Sequence, residues 1–237
     1  MYSSTVDASL TAALVTGFLL GIRHALDPDH LVAVAAFVSE ERSVGRSCLL
    51  GTFWGAGHTA ALLVAGVATI GLRLSISASV QRGFEAAVAV VLVLLGGHVL
   101  RRALRTVRLH RHQHVHDGRL HSHVHLHVGG EHDHRHRHAL ALGRRPFLMG
   151  LLHGMAGSAA LMLLVLSTIP SPLLGFLYIL VFGVGATGAM LVLSGLLGIP
   201  FAVTAGRART LQVALQAAAG GLSLVLGLVM SWGLTTG

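Results

Sequence analysis

Six long apolar runs dominate this sequence of 237 residues and limit the folds open to it. A helix needs about 20 predominantly apolar residues to cross the hydrocarbon core of a bilayer. With 53% hydrophobic residues, the chain has too little polar material to cover a soluble domain. We therefore predict an all-α, polytopic membrane protein with about six transmembrane helices. The first run is long for one crossing, so we expect it to be tilted or to break at Pro28. The runs are 8–38, 46–70, 83–101, 146–168, 172–197 and 210–234.

The arginines indicate how these helices are oriented. All 17 basic residues are Arg, and most of them lie in three of the segments between runs, at 39–46, 102–145 and 198–209. The positive-inside rule makes those segments cytoplasmic. Both termini are then expected outside, and the protein in the cell (inner) membrane with the lipid bilayer around it. The net charge of +8 therefore reports orientation, and we expect no nucleic-acid partner.

An internal repeat is visible when residues 18–66 are aligned with 147–195. Residues 18–24 match 147–153 at an offset of 129, and residues 55–59 match 183–187 at an offset of 128. Each copy holds three predicted spans, so the second copy must enter the membrane from the opposite side. This predicts two inverted three-helix repeats, 8–101 and 146–234, an arrangement common among secondary transporters. Chance similarity between apolar helices is the alternative.

The segment 102–145 between the repeats has a different composition. It is rich in His, Arg, Asp, Glu and Gly, and much of it alternates as His-x-His. Because it holds little apolar area to bury, we predict a cytoplasmic loop that is disordered without metal. Its composition suits labile binding of several transition-metal ions; a solvated cationic linker is the alternative. The twelve histidines are His110, His112, His114, His116, His121, His123, His125, His127, His132, His134, His136 and His138.

A second polar cluster interrupts the first apolar run. His24, Asp27, Asp29 and His30 lie within seven residues of membrane-depth sequence. Ionisable groups at that depth cost roughly 2.5–3.5 kcal/mol each, so a cation is needed to offset them. Imidazole and carboxylate together are ligands for a divalent transition metal. An undistorted helix does not bring all four together, which makes the break at Pro28 part of the prediction. The alternative for either aspartate is a cap on the helix that follows.

Two further histidines lie inside predicted spans. His58 follows Gly55 and Gly57, which allow close approach of another helix. His153 occupies the repeat position of His24, and small residues at 156–159 replace the acids of the first copy. We predict an asymmetric metal site with most ligands from the first repeat. A hydrogen-bonded packing role is the alternative for both residues, and His98 is expected at the interface instead.

At these residues the sequence resembles the nickel/cobalt transporter family. Its HX4DH signature matches His24, Asp29 and His30, and its Gly-His-Thr motif is similar to the sequence around His58. Residues 153–161 look like the branch associated with urease and other nickel enzymes. The resemblance implies passage of Ni²⁺ or Co²⁺ as substrate, with no permanently bound cofactor and no enzymatic activity. It also implies cytoplasmic nickel chaperones or nickel-enzyme maturation proteins as partners.

The sequence leaves the direction of transport open. The resemblance implies an uptake permease, whereas the His-rich loop is similar to that of nickel/cobalt efflux proteins. Two other classes are disfavoured. An intramembrane metalloenzyme would need His boxes of the HExxH or HxxHH type, which do not occur. A haem electron carrier would leave the acids beside His24 unexplained.

Overall fold

The computed structural model describes residues 2–74, 77–116, 119–128, 139–156 and 171–236. A π-helical turn over Val67–Gly71 extends the third helix. The helices are α1 Tyr2–His24, α2 Pro28–Val38, α3 Val44–Gly66, α4 Ala78–Thr106, α5 Ala139–Met155, α6 Pro172–Thr204 and α7 Arg209–Thr236. The strands are β1 Val107–His116 and β2 Arg119–Val128.

Four stretches of helix in the described residues are long and apolar enough to cross a membrane. They contain four of the six predicted runs, and they are Val44–Gly71, Ala78–Thr106, Pro172–Thr204 and Arg209–Thr236. Large apolar side chains on their outer faces are exposed, among them Leu94 at 66% and Leu173 at 76%. A soluble protein does not expose so much apolar surface, but lipid covers it without cost. The chain is a membrane protein.

The first predicted run is broken, as expected at Pro28. Helix α1 ends at His24, and α2 begins at Pro28. Proline suits the first position of a helix, where its missing N–H is not needed. In the connection, the N–H of Leu26 donates to the Arg23 carbonyl and that of Asp27 donates to the His24 carbonyl, both at 3.0 Å. The chain thus changes direction while its backbone stays hydrogen-bonded.

The predicted span 146–168 is described only in part. Helix α5 begins at Ala139, seven residues before the predicted start, and ends at Met155. Residues 157–168 of that prediction lie outside the described residues.

The His-rich segment differs from its prediction. We expected disorder over 102–145, but α4 continues to Thr106, and an antiparallel hairpin of β1 and β2 follows. The structure therefore pairs residues 107–116 with 119–128, an arrangement that the prediction of disorder did not include. The physical reason is that a hairpin satisfies its backbone groups by pairing and needs little buried apolar area. Its sequence signal is the alternation of the two strands around Asp117-Gly118, a dipeptide favoured between paired strands.

Helix α3 lies at the centre of the helical packing. It runs antiparallel to α6, because Gly51 lies against Met190 while Gly66 lies against Ile179. It also packs on α5, where Gly154 lies against His58 and Ala61. The absence of a Cβ at these glycines lets the helix backbones approach closely, as is usual for helix pairs in membranes.

Several of these contacts recur at positions related by the sequence offset. Gly21 on α1 lies against the carbonyl oxygen of Phe182 on α6, and Gly150 on α5 lies against that of Trp54 on α3. Gly150 follows Gly21 by 129 residues, and Phe182 follows Trp54 by 128. The pair α1–α6 and the pair α5–α3 therefore make equivalent contacts.

Helices α4 and α7 form a third close pair. Gly96 on α4 lies against Leu224, and Gly227 on α7 lies against Val93. Gly227 follows Gly96 by 131 residues, and Leu224 follows Val93 by the same number, so one sequence offset relates the two contacts. The Ser223 hydroxyl donates to the Leu92 carbonyl at 2.9 Å in the middle of this pair.

Candidate metal centre

The break between α1 and α2 places four polar residues on a short stretch of chain. His24 is the last residue of α1, Asp27 precedes α2, and Asp29 and His30 lie in its first turn. Across the break, the imidazole rings of His24 and His30 approach to 4.6 Å between centroids. The predicted role of the Pro28 break in bringing these residues together agrees with this geometry.

Two other helices add one histidine each to this pair. The ring of His58, on α3, lies 4.9 Å from that of His24 and 5.4 Å from that of His30. The ring of His153, on α5, lies 5.1 Å from that of His30. His24, His30 and His58 each offer one potential ligand atom, and these three atoms lie within 4.8 Å of one another. All four histidines predicted for the core site are therefore neighbours.

The imidazoles are buried without hydrogen-bond partners among the described residues. His30, His58 and His153 are exposed by 2% or less. In the part of the chain that the structure describes, both ring nitrogens of these three residues, and Nε2 of His24, lack a partner within 3.5 Å. A buried polar group left unpaired costs about 1–3 kcal/mol, so seven such atoms in one place need an explanation. For His58, the described residues offer none of the hydrogen bonds that the packing alternative requires.

The two aspartates make different contacts with this cluster. The Asp27 carboxylate lies 2.7 Å from Nδ1 of His24 and makes no cap hydrogen bond to α2. Asp27 thus occupies the N-cap position of α2 but does not cap the helix through its side chain. A carboxylate on Nδ1 fixes the tautomer and turns Nε2 into the free ligand atom, as in many metal sites. In His24 it is Nε2 that is buried and unpartnered.

Asp29 lies between two of the imidazoles. Its carboxylate oxygens are 3.7 Å from Nδ1 of His30 and 3.8 Å from Nε2 of His153. Its side chain is 27% exposed, compared with 47% for Asp27. Ligand atoms of Asp27, Asp29 and His30 also lie within 4.8 Å of one another. Both predicted aspartates are therefore within reach of a shared cation.

Two aromatic rings that the sequence analysis did not single out contact the cluster. The Trp54 ring lies 5.0 Å from that of His153, and the Phe182 ring lies 5.7 Å from that of His24. The sequence contains a signal that pairs these two residues. When the repeat match at 55–59 is extended by one residue, Trp54 aligns with Phe182.

The remaining predicted histidines lie elsewhere. Eight of the twelve loop histidines belong to the hairpin, and the other four, at 132–138, lie outside the described residues. The strand register places His110 opposite His125, and His112 opposite His123. His98 on α4 is 56% exposed and lies 3.7 Å from Glu40, which also pairs with Arg102 at 3.0 Å. It is not part of the buried cluster.

Comparison with known proteins identifies relatives over most of the chain. The chain is 36% identical over 222 residues to the urease accessory protein UreH of Bacillus sp. (strain TB-90), covering 94% of this chain and 91% of that protein. It is 28% identical over 183 residues to the chloroplast protein FOR GROWTH AND FERTILITY 1 of Arabidopsis thaliana, covering 74% of this chain and 46% of that protein. The chain thus spans about half the length of the plant protein. No protein-family model and no solved structure matches it. The extent and identity of the first match show that the chain belongs to the family of the urease accessory protein UreH.

Proposed function

We propose that this protein is a membrane permease for divalent transition-metal ions, with Ni²⁺ as its main substrate and Co²⁺ as a second. The observation that carries the proposal is the cluster of buried imidazoles on His24, His30, His58 and His153, for which the described residues supply no hydrogen-bond partner to seven of the eight ring nitrogens. A metal cation would supply a partner for those nitrogens. The relative is named a urease accessory protein. The resemblance to nickel/cobalt transporters points the same way.

The donor set fits a transported ion. Nickel and cobalt accept imidazole and carboxylate ligands, which release a metal faster than a thiolate cage would. His24, His30 and His58 are the residues that would hold the ion, and Asp29 and His153 would complete its shell. Asp27 acts on the orientation of His24. Copper binds such ligands more tightly than nickel, so selectivity has to come from the fixed spacing of these side chains.

The inverted repeat belongs to the same proposal. Equivalent contacts of Gly21 with Phe182 and of Gly150 with Trp54 support two related halves. The antiparallel course of α3 and α6, which occupy matching repeat positions, supports opposite orientations for them. Six spans in two inverted three-helix repeats would place the site where the halves meet, as in other secondary transporters.

Uptake is the direction that we propose. With the termini outside, the His-rich hairpin beyond α4 lies on the cytoplasmic side, where it collects metal that leaves the core. Cytoplasmic nickel chaperones or nickel-enzyme maturation proteins would then receive the ion. Efflux is the second candidate, favoured by the density of histidines in the segment, which would then present cytoplasmic metal to the core.

Accumulation of radiolabelled Ni²⁺ in cells that lack their own nickel uptake tests both directions. A rise over cells with an empty vector indicates import, and a fall in preloaded cells indicates export. Competition by unlabelled Co²⁺ tests the second substrate. His58→Ala is the site variant and His98→Ala its matched control, because His98 lies outside the buried cluster. Equal accumulation with and without the protein would refute transport.

A further inference from the structure

The two aromatic rings on the histidine cluster form a matched pair. Trp54 covers His153, and Phe182 covers His24. His153 follows His24 by 129 residues, and Phe182 follows Trp54 by 128. Each half of the chain therefore places an aromatic ring against the histidine that the first helix of the other half contributes.

These rings lie at opposite ends of the cluster. The hydroxyls of Thr59 on α3 and Thr187 on α6 meet at 3.3 Å, where the two antiparallel helices cross. Trp54 precedes Thr59 by five residues, and Phe182 precedes Thr187 by five. Because the helices run in opposite directions, one aromatic residue lies on each side of the threonine contact.

Both side chains are held in closed positions. Trp54 is 1% exposed and Phe182 is 6% exposed. Their backbones are fixed by the glycine contacts with α5 and α1, so the movable part is the ring. The indole N–H of Trp54 has no hydrogen-bond partner among the described residues. Water or a hydrated ion would supply that partner when the ring turns toward it.

We propose that Trp54 and Phe182 are the two gates of the metal pathway, one on each side of the histidine site. This inference rests on the proposed transport function. Turning of one ring opens the cluster to one side of the membrane, while the other ring keeps the opposite side closed. Under the orientation given above, Trp54 faces the cytoplasm and Phe182 faces the exterior.

Flux through proteoliposomes with purified full-length protein tests the gates. Trp54→Ala and Phe182→Ala each leave one gate, so Ni²⁺ flux stays saturable although its rate changes. The double variant loses both gates, and its flux loses saturation and rises in proportion to the Ni²⁺ concentration. Phe53→Ala is the matched control, since Phe53 precedes Trp54 on α3 and packs on Gly143 instead of the cluster. The conservative Trp54→Phe keeps saturable flux.

A second measurement tests the proposal if the double variant does not fold. The chain has two tryptophans, and Trp232 is 73% exposed on the outer face of α7. Trp232→Phe leaves Trp54 as reporter, and adding Trp54→Phe with Phe182→Trp moves the reporter to the other gate. Ni²⁺ is expected to quench the fluorescence of both reporters. Lack of quenching at either position contradicts the proposal that these residues are gates. Saturable Ni²⁺ flux through a folded double variant, like that of Phe53→Ala, contradicts it as well. If the unaltered protein neither binds nor moves Ni²⁺, the proposed function fails instead.

Discussion

Replacing His58 with leucine should make the metal-free protein more stable and abolish its response to metal. The imidazole of His58 is 0% exposed, and neither ring nitrogen has a partner in the residues that the structure describes. A neutral imidazole carries one donor and one acceptor, so two polar groups are buried unpaired. Leucine is close in size and has no polar atom, so it removes both groups without opening a cavity.

The magnitude follows from these two groups. Each unpaired buried group costs about 1–3 kcal/mol, and imperfect packing of a replacement of similar volume costs up to about 1.5 kcal/mol. The metal-free His58→Leu protein should therefore gain at least about 0.5 kcal/mol in its free energy of unfolding, and more if the leucine packs well. In contrast, saturating metal at 100 times its Kd stabilises the unaltered protein by about 2.7 kcal/mol. Adding Ni²⁺ should thus shift the difference in stability between the two proteins by about 2.7 kcal/mol in favour of the unaltered protein.

Thermal unfolding of purified protein in detergent, with a chelator or with Ni²⁺, measures this shift. His98→Leu is the matched control, because the His98 side chain is 56% exposed and lies on α4 outside the cluster. A surface replacement of this kind usually changes stability by no more than about 0.5 kcal/mol. A His58→Leu protein that is less stable than the unaltered one in chelator would mean that the imidazole has partners. Full stabilisation of that variant by Ni²⁺ would remove His58 from the site.

Three other predictions concern the site, the hairpin and the helix contacts. His24→Ala or Asp29→Ala should abolish Ni²⁺ accumulation while insertion into the membrane is unchanged, as read from radiolabelled uptake and membrane fractionation; undiminished uptake would contradict their assignment. Deletion of 110–138 should alter the apparent affinity or regulation of uptake without removing it, and a complete loss would make the segment part of the pathway. Gly150→Ala should lower the free energy of unfolding by about 1–3 kcal/mol, because its Cβ would meet the backbone of α3. Gly97→Ala, whose Cβ meets nothing within 4 Å, should be neutral or stabilising by up to about 1 kcal/mol, and equal effects in both variants would contradict the packing.

The core site was largely predictable because its chemistry is conspicuous. Histidines and aspartates at membrane depth need a reason to be there, and the Pro28 break and the repeat position of His153 indicated how they could meet. Trp54 and Phe182 were missed because aromatic residues are ordinary in apolar helices. Only their contacts with His153 and His24 make them distinctive.

The hairpin was missed for a different physical reason. Composition reports whether a segment can bury apolar area, and by that measure residues 102–145 predict disorder. Strand pairing depends on period-two alternation and on the residues between the strands, and Asp117-Gly118 carries that information. The helix bounds near Thr106 and Ala139 also depended on local propensity more than on hydropathy.

The initial rate of radiolabelled Ni²⁺ entry into proteoliposomes tests the central claim most directly. The unaltered protein and a His30→Ala variant would be reconstituted at equal amounts. His30 is chosen because it lies beside His24, His58, His153 and Asp29. The account predicts saturable entry with the unaltered protein and entry no faster than that of empty liposomes with the variant. Equal rates in the two preparations would contradict passage of the metal through the buried histidine site.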